Sequence, residues 1–222
     1  MQHLIAADPV LAPVIQEHGL ASVLIGKDCV NVFDSLTRSI LSQQLATGAA
    51  AAITARFKTA CKCEPGGKVT PAAVQSVSVA EMRACGLSGR KAEYVLDLAR
   101  HFAEGLLSDE AIAGMDDEAL VRELVKVKGI GRWSVDMFAM FHLGRPDVLP
   151  VGDLGVRKGM QTLYRLKALP EAAEMERLTD AWRPYRSLGS YYMWRVPTQR
   201  ASSTPGKKKR AAKAAVPTVL AE

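Results

Sequence analysis

Two short segments carry residue types at spacings that could do chemistry. The first, Lys128-Gly-Ile-Gly-Arg132, has two glycines around an isoleucine and a basic residue at each end. Glycine allows a tight turn and a close approach of the backbone to a ligand, and the N–H groups that open a following helix attract phosphate. The second is Asp153, which follows Leu149-Pro-Val-Gly152 and precedes a helix-like segment. Its carboxylate either caps that helix or holds a negative charge for chemistry.

The segments around the Gly-Ile-Gly turn predict two amphipathic helices. Apolar residues at i, i+3, i+4 spacing precede and follow the turn: Val121, Leu124 and Val125, then Met137, Met140 and Phe141. We therefore predict a helix-hairpin-helix motif over about 121–141, with Ile130 packed into the core. An ordinary helical hairpin would show the same apolar spacing, but Lys128 and Arg132 favour an anion site.

The rest of the chain up to about residue 195 also predicts helices, because no alternating apolar and polar run is flanked by hairpin signals. The predicted helices span about 8–18, 34–60, 79–85, 89–105, 117–127, 131–142, 153–165, 171–181 and 185–195. Asp34 is expected to cap the long alanine-rich helix, and Pro65-Gly-Gly67 to form a loop. The predicted fold class is all-α.

Length and composition exclude several classes of protein. A chain of 222 residues, 48% of them apolar, can bury a core in one domain or in two closely packed lobes. No apolar run approaches the roughly 18 residues of a membrane span, so no membrane partner is expected. No secretion signal is apparent at the N-terminus, and we expect a cytoplasmic, nucleoid-associated protein, or a nuclear one in a eukaryote. The four cysteines lack the spacing of a zinc or iron–sulfur site.

The positive charge is concentrated at the C-terminus. Residues 197–222 hold six of the 29 Lys and Arg residues and one of the 23 Asp and Glu residues. This segment lacks the apolar content to fold alone. We therefore predict a helical body over 1–195 and a disordered basic tail over 196–222, which either contacts polyanions or only aids solubility. The body is almost neutral, so any nucleic-acid contact it makes must be local.

Several segments together resemble one family of DNA repair enzymes. Lys128–Trp133 and Leu149–Asp153 resemble the helix-hairpin-helix and the aspartate of the HhH-GPD DNA glycosylase superfamily. Four further segments resemble its AlkA-like 3-methyladenine DNA glycosylases: Ser39–Leu45, Gly86–Ala92, Phe138–Met140, and Trp182–Ser187 with Trp194–Arg195. The resemblance spans about residues 30–195 in the family's order.

The resemblance implies a two-lobed helical fold. The N- and C-terminal helices would form one lobe, and residues of about 35–145 the other. The first 30 residues are too short for the N-terminal β domain of larger bacterial relatives, so none is expected. The cysteine quartet of the iron–sulfur branch is also absent, and no iron–sulfur cluster is expected.

The resemblance places the family's catalytic aspartate on Asp153. Hydrolysis of a glycosidic bond passes through an oxocarbenium-like sugar cation that a carboxylate stabilises. Ordinary glycosidases need a second carboxylic acid, but a purine such as 3-methyladenine or 7-methylguanine already carries positive charge and leaves unprotonated. Bifunctional relatives carry a Schiff-base lysine where this chain has Trp133. The resemblance therefore implies a monofunctional enzyme, of the DNA-3-methyladenine glycosylase II type, that leaves an abasic site.

An enzyme that acts on a base in a duplex must flip the base out and hold it by stacking. A cationic base over an aromatic ring gains about 0.5–2 kcal/mol. The resemblance puts Trp133 and Trp194 at this pocket, with Tyr191 a weaker candidate. Met137 lies on the same helical face as Trp133 and could form a soft apolar wall. A role in the helical core remains the alternative for Trp133.

The other positions implied by the resemblance would contact the DNA backbone or enter the base stack. The hairpin would bind a phosphate through Lys128, Gly129, Ile130, Gly131 and Arg132. The segment that fills the hole left by the flipped base would be Gln43, Gln44 and Leu45, with Gln44 at the intercalating position; an ordinary polar helix start is the alternative. The carbonyls of Val125, Val127 and Ile130 match positions that hold a structural monovalent cation, Na⁺ or K⁺. No other cofactor is expected.

The predicted partner is double-stranded DNA with alkylated bases, bound by a monomer. A non-catalytic helix-hairpin-helix DNA-binding module needs only the hairpin, and Asp153 and the aromatic set count against it. A bifunctional glycosylase/lyase for oxidised bases would need a lysine where Trp133 stands. A helical protein-interaction domain would explain the helices but not the Gly-Ile-Gly turn.

Overall fold

The computed structural model describes residues 1–19 and 31–197, and within these ranges the secondary structure is helical, without β-strands. The helices are α1 (Gln2–Ala7), α2 (Ala12–His18), α3 (Val32–Ser42), α4 (Thr47–Ala60), α5 (Pro71–Gln75), α6 (Val79–Ala84), α7 (Gly89–Ala103), α8 (Asp109–Gly114), α9 (Asp117–Leu124), α10 (Arg132–Phe141), α11 (Leu154–Leu163), α12 (Ala172–Leu178) and α13 (Arg186–Met193). The predicted all-α class is confirmed for this part of the chain. None of these helices is long and apolar enough to cross a membrane.

The described residues form two compact units. The first contains residues 1–19 and 144–197, with α1, α2 and α11–α13. The second contains residues 31–143, with α3–α10. Of the predicted basic tail, residues 198–222 lie outside the described residues.

A buried carboxylate and a close helix pair organise the first unit. Asp8 accepts a hydrogen bond of 2.8 Å from the Trp182 indole and another from the Tyr164 hydroxyl. Helices α11 and α13 pack together. A Cβ atom on Gly159 of α11 would lie 2.2 Å from the Met193 carbonyl oxygen, so only glycine permits this approach. The end of α13 therefore lies close to α11.

Helix α7 is the central element of the second unit. It packs against α3 and α5, while α10 packs against α9 and α3. The α7 residues Val95, Leu98 and Ala99, which lie at helical spacing, are buried. Ser88 caps its start by accepting the N–H of Lys91. Three further side chains of this helix, Lys91, Tyr94 and Asp97, contact the end of α3 or the Gly-Ile-Gly turn.

The predicted helix 34–60 is wrong as a single element. The chain leaves α3 at Gln43, and Gln44 adopts the left-handed conformation with φ of 59° before α4 begins. The Leu41 carbonyl, which a continuing helix would use internally, instead accepts a hydrogen bond from the Lys91 ammonium. Asp34 does not cap the helix either: it lies in the first turn of α3 and accepts the Val69 N–H at 2.9 Å.

Smaller differences concern short helices. The predicted helix 8–18 begins only at Ala12, because Asp8 ends α1 and its side chain accepts the N–H groups of the next turn. Helix α1 was not predicted from the sequence, and neither were α5 and α8. Helices α5 and α8 carry local start signals, since Thr70 and Ser108 each accept a backbone N–H three residues on.

Candidate functional site

Asp153 is a buried carboxylate at the start of α11. It is 6% exposed, and its Oδ1 accepts the Val156 N–H at 2.7 Å and the Trp194 indole N–H at 2.8 Å. The first bond is an N-cap, and the helix N-terminus favours a negative charge at this place. The two roles that the sequence left open for Asp153 are therefore compatible in one geometry.

A glycine makes room for the tryptophan beside this carboxylate. A Cβ on Gly155 would lie 2.7 Å from Cδ1 of Trp194 and 3.0 Å from Oδ1 of Asp153. Trp194 itself is 5% exposed. Any side chain at position 155 would therefore push the indole away from the carboxylate.

Tyr191 lies one turn before Trp194 and is covered by a cation. The guanidinium of Arg195 lies 4.8 Å from the centre of the Tyr191 ring and donates a hydrogen bond to its hydroxyl. Such a contact holds the ring by a cation–π interaction. Tyr191 and Trp194 are both largely buried in the first unit, with Asp153.

The Gly-Ile-Gly turn of the second unit is held by three side chains. The Asp97 carboxylate accepts the Lys128 N–H at 2.9 Å, and the Gln43 amide donates to the Gly129 carbonyl at 2.9 Å. The Tyr94 ring packs against the α-carbon of Gly129, which has φ of 81°. Ile130 is 5% exposed, so the turn is packed into the core as predicted.

The charge state of Asp97 suits its role in the turn. Burial alone would raise the pKa of Asp97, but the hydrogen bonds from the Lys128 N–H and the Arg100 guanidinium outweigh it and hold the pKa below its usual value. The carboxylate is therefore ionised at neutral pH. A charged acceptor binds an N–H more strongly than a neutral one.

Helix α10 carries the next three candidates. Arg132 opens the helix and forms a 2.9 Å ion pair with the buried Asp136. Trp133 is half-buried, while Met137 is fully buried and so contributes to the core of the second unit. The assignment of Trp133 and Met137 to a base pocket stays a prediction.

The predicted wedge residues lie in the connection between α3 and α4. Gln44 is exposed and left-handed, whereas Gln43 and Leu45 are half-buried. Because the Gln43 amide bonds to Gly129, the wedge residues and the hairpin are linked within the second unit. The roles of Lys91, Tyr94 and Asp97 were not predicted, although their i, i+3, i+6 spacing on α7 was an available signal.

The two hairpin glycines should respond differently to substitution. Gly129→Ala adds a methyl group 2.1 Å from the Tyr94 ring at a positive φ, and we expect a loss of about 1–3 kcal/mol in the free energy of unfolding. At Gly131, by contrast, an added Cβ has no atom outside its immediate neighbours within 4 Å. If the turn anchors a DNA phosphate, as the sequence predicts, Gly131→Ala should keep the stability and weaken DNA binding alone, because its methyl group would face that phosphate.

Thermal unfolding and the affinity for an abasic-site duplex separate these effects. If Gly131→Ala binds that duplex as tightly as the parent, the turn is not a phosphate anchor. If Gly129→Ala is as stable as the parent, the Tyr94 contact does not constrain the turn.

Comparison with known proteins finds a matching family. The model of the HhH-GPD superfamily of base excision DNA repair proteins matches residues 37–184. The chain is 33% identical over 179 residues to DNA-3-methyladenine glycosylase 1 of Schizosaccharomyces pombe, covering 80% of this chain and 78% of that protein.

Solved structures give the same result. A 3-methyladenine DNA glycosylase of S. pombe in complex with abasic DNA superposes with a TM-score of 0.73 at 30% identity, covering 87% of this chain and 94% of that one. A DNA-3-methyladenine glycosidase of Bacillus halodurans gives a TM-score of 0.74 at 34% identity, covering 87% and 86% of the two chains.

Proposed function

Because this chain belongs to the HhH-GPD superfamily of base excision DNA repair proteins, we propose that it is a DNA glycosylase that releases alkylated purines from double-stranded DNA. The substrate class would be 3-methyladenine and 7-methylguanine. Within the family we assign it to the DNA-3-methyladenine glycosylase II type. It would act as a monomer on chromosomal DNA.

The observation that carries this proposal is the environment of Asp153. Its carboxylate is buried at a helix N-terminus and fixed by the N–H groups of Val156 and Trp194. A preorganised charge of this kind stabilises a developing sugar cation without reorganisation during the reaction. A non-catalytic DNA-binding module would need this carboxylate only as a helix cap.

One carboxylate is sufficient for the proposed substrates. The glycosidic bond of a cationic purine breaks with the electron pair leaving on the base, which becomes neutral. Asp153 would stabilise the sugar cation and orient the water that attacks the anomeric carbon. That water loses a proton, and the products are a free base and an abasic site.

The other assignments follow the same proposal. In the second unit, Trp133 and Met137 would contact the flipped base, Gln44 would enter the base stack, and the hairpin 128–132 would bind a phosphate. In the first unit, Tyr191 and Trp194 would contact the flipped base. A structural Na⁺ or K⁺ would be held by the carbonyls of Val125, Val127 and Ile130. The Val127 carbonyl accepts the Ile130 N–H at 3.1 Å, and its second lone pair suits a cation.

The direct experiment uses duplex DNA methylated with dimethyl sulfate. The purified protein should release 3-methyladenine and 7-methylguanine as free bases, measured by chromatography of the soluble fraction, and nothing from unmethylated DNA. Binding without release of any methylated purine would favour the non-catalytic DNA-binding module.

Trp133 predicts a purely hydrolytic reaction. Tryptophan cannot form an imine with the sugar, so borohydride added during turnover should trap no protein–DNA adduct. The duplex should stay unnicked until alkali is added. A trapped complex, or strand cleavage without alkali, would instead indicate a bifunctional glycosylase/lyase.

A further inference from the structure

The end of α3 is fixed by an ammonium group rather than by a local cap. The Lys91 Nζ donates to the Leu41 carbonyl at 2.6 Å and to the Gln43 carbonyl at 2.8 Å. Carbonyls at a helix C-terminus attract a positive charge. Lys91 thereby stops α3 at Ser42 and sets the direction in which Gln44 leaves the helix.

Gln43 connects this exit to the hairpin. Its backbone carbonyl is held by Lys91 and its side-chain amide donates to the Gly129 carbonyl at 2.9 Å. Gln43 is half-buried, and the next residue, Gln44, is exposed and left-handed. A side chain that is already bonded to the protein is unsuited to enter a base stack.

One face of α7 supports both ends of this connection. Lys91, Tyr94 and Asp97 follow each other at i, i+3 and i+6, so each is a neighbour of the next on the helix surface. Lys91 holds the exit from α3, Tyr94 packs against Gly129, and Asp97 binds the Lys128 N–H. The wedge segment and the hairpin are therefore positioned by the same rigid element.

We propose that Gln43 and Lys91 are positioning residues that hold the wedge residue Gln44 at a fixed place relative to the phosphate-binding hairpin. This inference rests on the proposed function for its DNA substrate. Gln43 would then not enter the base stack, because its side chain is bonded to the Gly129 carbonyl. Base flipping would then require the Gln43–Gly129 bond, while the number of phosphate contacts would not depend on it.

Two variants of matched shape test the proposal. Gln43→Met keeps the side-chain length and deletes the amide donor, and Lys91→Met keeps most of the stem and deletes the ammonium. We expect base unstacking, read from 2-aminopurine fluorescence beside a methylated purine, and single-turnover excision both to fall about tenfold, in line with the loss of hydrogen bonds that hold a structural element. Glu93→Gln, at an exposed position of α7, serves as the control and should change neither value.

Salt dependence distinguishes positioning from a direct DNA contact. Since Lys91 binds two carbonyls, Lys91→Met should leave the slope of log affinity against log salt unchanged. A phosphate contact would lower that slope by about 0.9, and that result would overturn the assignment. Because both variants act on the same segment, the double variant should lose little more than the worse single variant.

Unchanged unstacking in Gln43→Met would also overturn the proposal. Circular dichroism and thermal unfolding identify variants that fail to fold, and Gln43→Met, being isosteric at a half-buried position, remains informative if Lys91→Met is unstable. Failure of the proposed function would be separate: the parent protein would then release no methylated purine. Insertion of Gln44, read from the fluorescence of 2-aminopurine placed next to an abasic site, would still test the positioning role.

Discussion

Asp153→Asn should lose excision of 7-methylguanine by about 100-fold or more, the scale seen on removal of one preorganised electrostatic group. Asparagine keeps the size of the side chain and an oxygen that can accept the N–H groups of Val156 and Trp194. The substitution deletes the negative charge and replaces the second carboxylate oxygen by an amide NH2 group. The loss should be greater for neutral lesions, which leave less readily than cationic bases. Affinity for an abasic-site duplex should survive.

Asp116 offers a matched control for this experiment. Asp116 caps α9 by accepting the Ala119 N–H at 2.7 Å, in the same arrangement as Asp153 on α11. Asparagine caps a helix about as well as aspartate, so Asp116→Asn should be silent in both stability and excision. Single-turnover release of 7-methylguanine distinguishes a catalytic role of Asp153 from a capping role. Equal rates for Asp153→Asn and the parent would mean that Asp153 serves only as a helix cap.

Local patterns in the sequence predict much of this fold. Apolar residues at helical spacing placed α7 and α10 correctly, because burial of one helix face depends on residues three and four positions apart. Gly-Ile-Gly predicted a turn with Ile130 in the core, and that residue is buried. The lack of strand signals predicted the all-α class, and the family motifs predicted the superfamily to which the chain belongs.

Long-range contacts explain what the sequence did not predict. The break at Gln43 depends on the ammonium of Lys91, which is 50 residues away from Leu41, and nothing in the alanine-rich segment announces it. Asp97 lies 31 residues from the N–H that it binds. Likewise, the need for glycine at position 155 follows from its contact with Trp194, which the sequence around Gly155 does not indicate. Such roles appear only when the packing partner is known.

The geometry around Gly155 predicts a loss of activity without a loss of stability. Gly155→Ala should gain up to about 1 kcal/mol of helix stability in open space. Here the added methyl group would lie 2.7 Å from the Trp194 ring, so the indole must move and its bond to Asp153 is broken or lengthened. We expect these effects on the free energy of unfolding largely to offset each other.

The rate of excision, unlike the stability, should fall. A misplacement of about 1 Å at a reacting group can reduce the rate about 100-fold, so Gly155→Ala should lose one to two orders of magnitude in single-turnover release of 7-methylguanine. Gly152→Ala is the control, because a Cβ at that glycine meets no atom outside its chain neighbours within 4 Å. It should retain the parental rate although it stands next to the same aspartate.

Trp194→Phe shows whether Gly155 affects the reaction through the hydrogen bond from the Trp194 indole to Asp153. Phenylalanine keeps an aromatic ring but cannot donate to Asp153, and we expect about a tenfold loss of rate from that bond. Since both changes break the same contact, Gly155→Ala with Trp194→Phe should be far less damaging than the product of the single effects. If the single effects instead multiply, Gly155 and Trp194 act on the reaction independently. The carboxylate would then be oriented by its helix alone, and the tryptophan would serve only the base pocket.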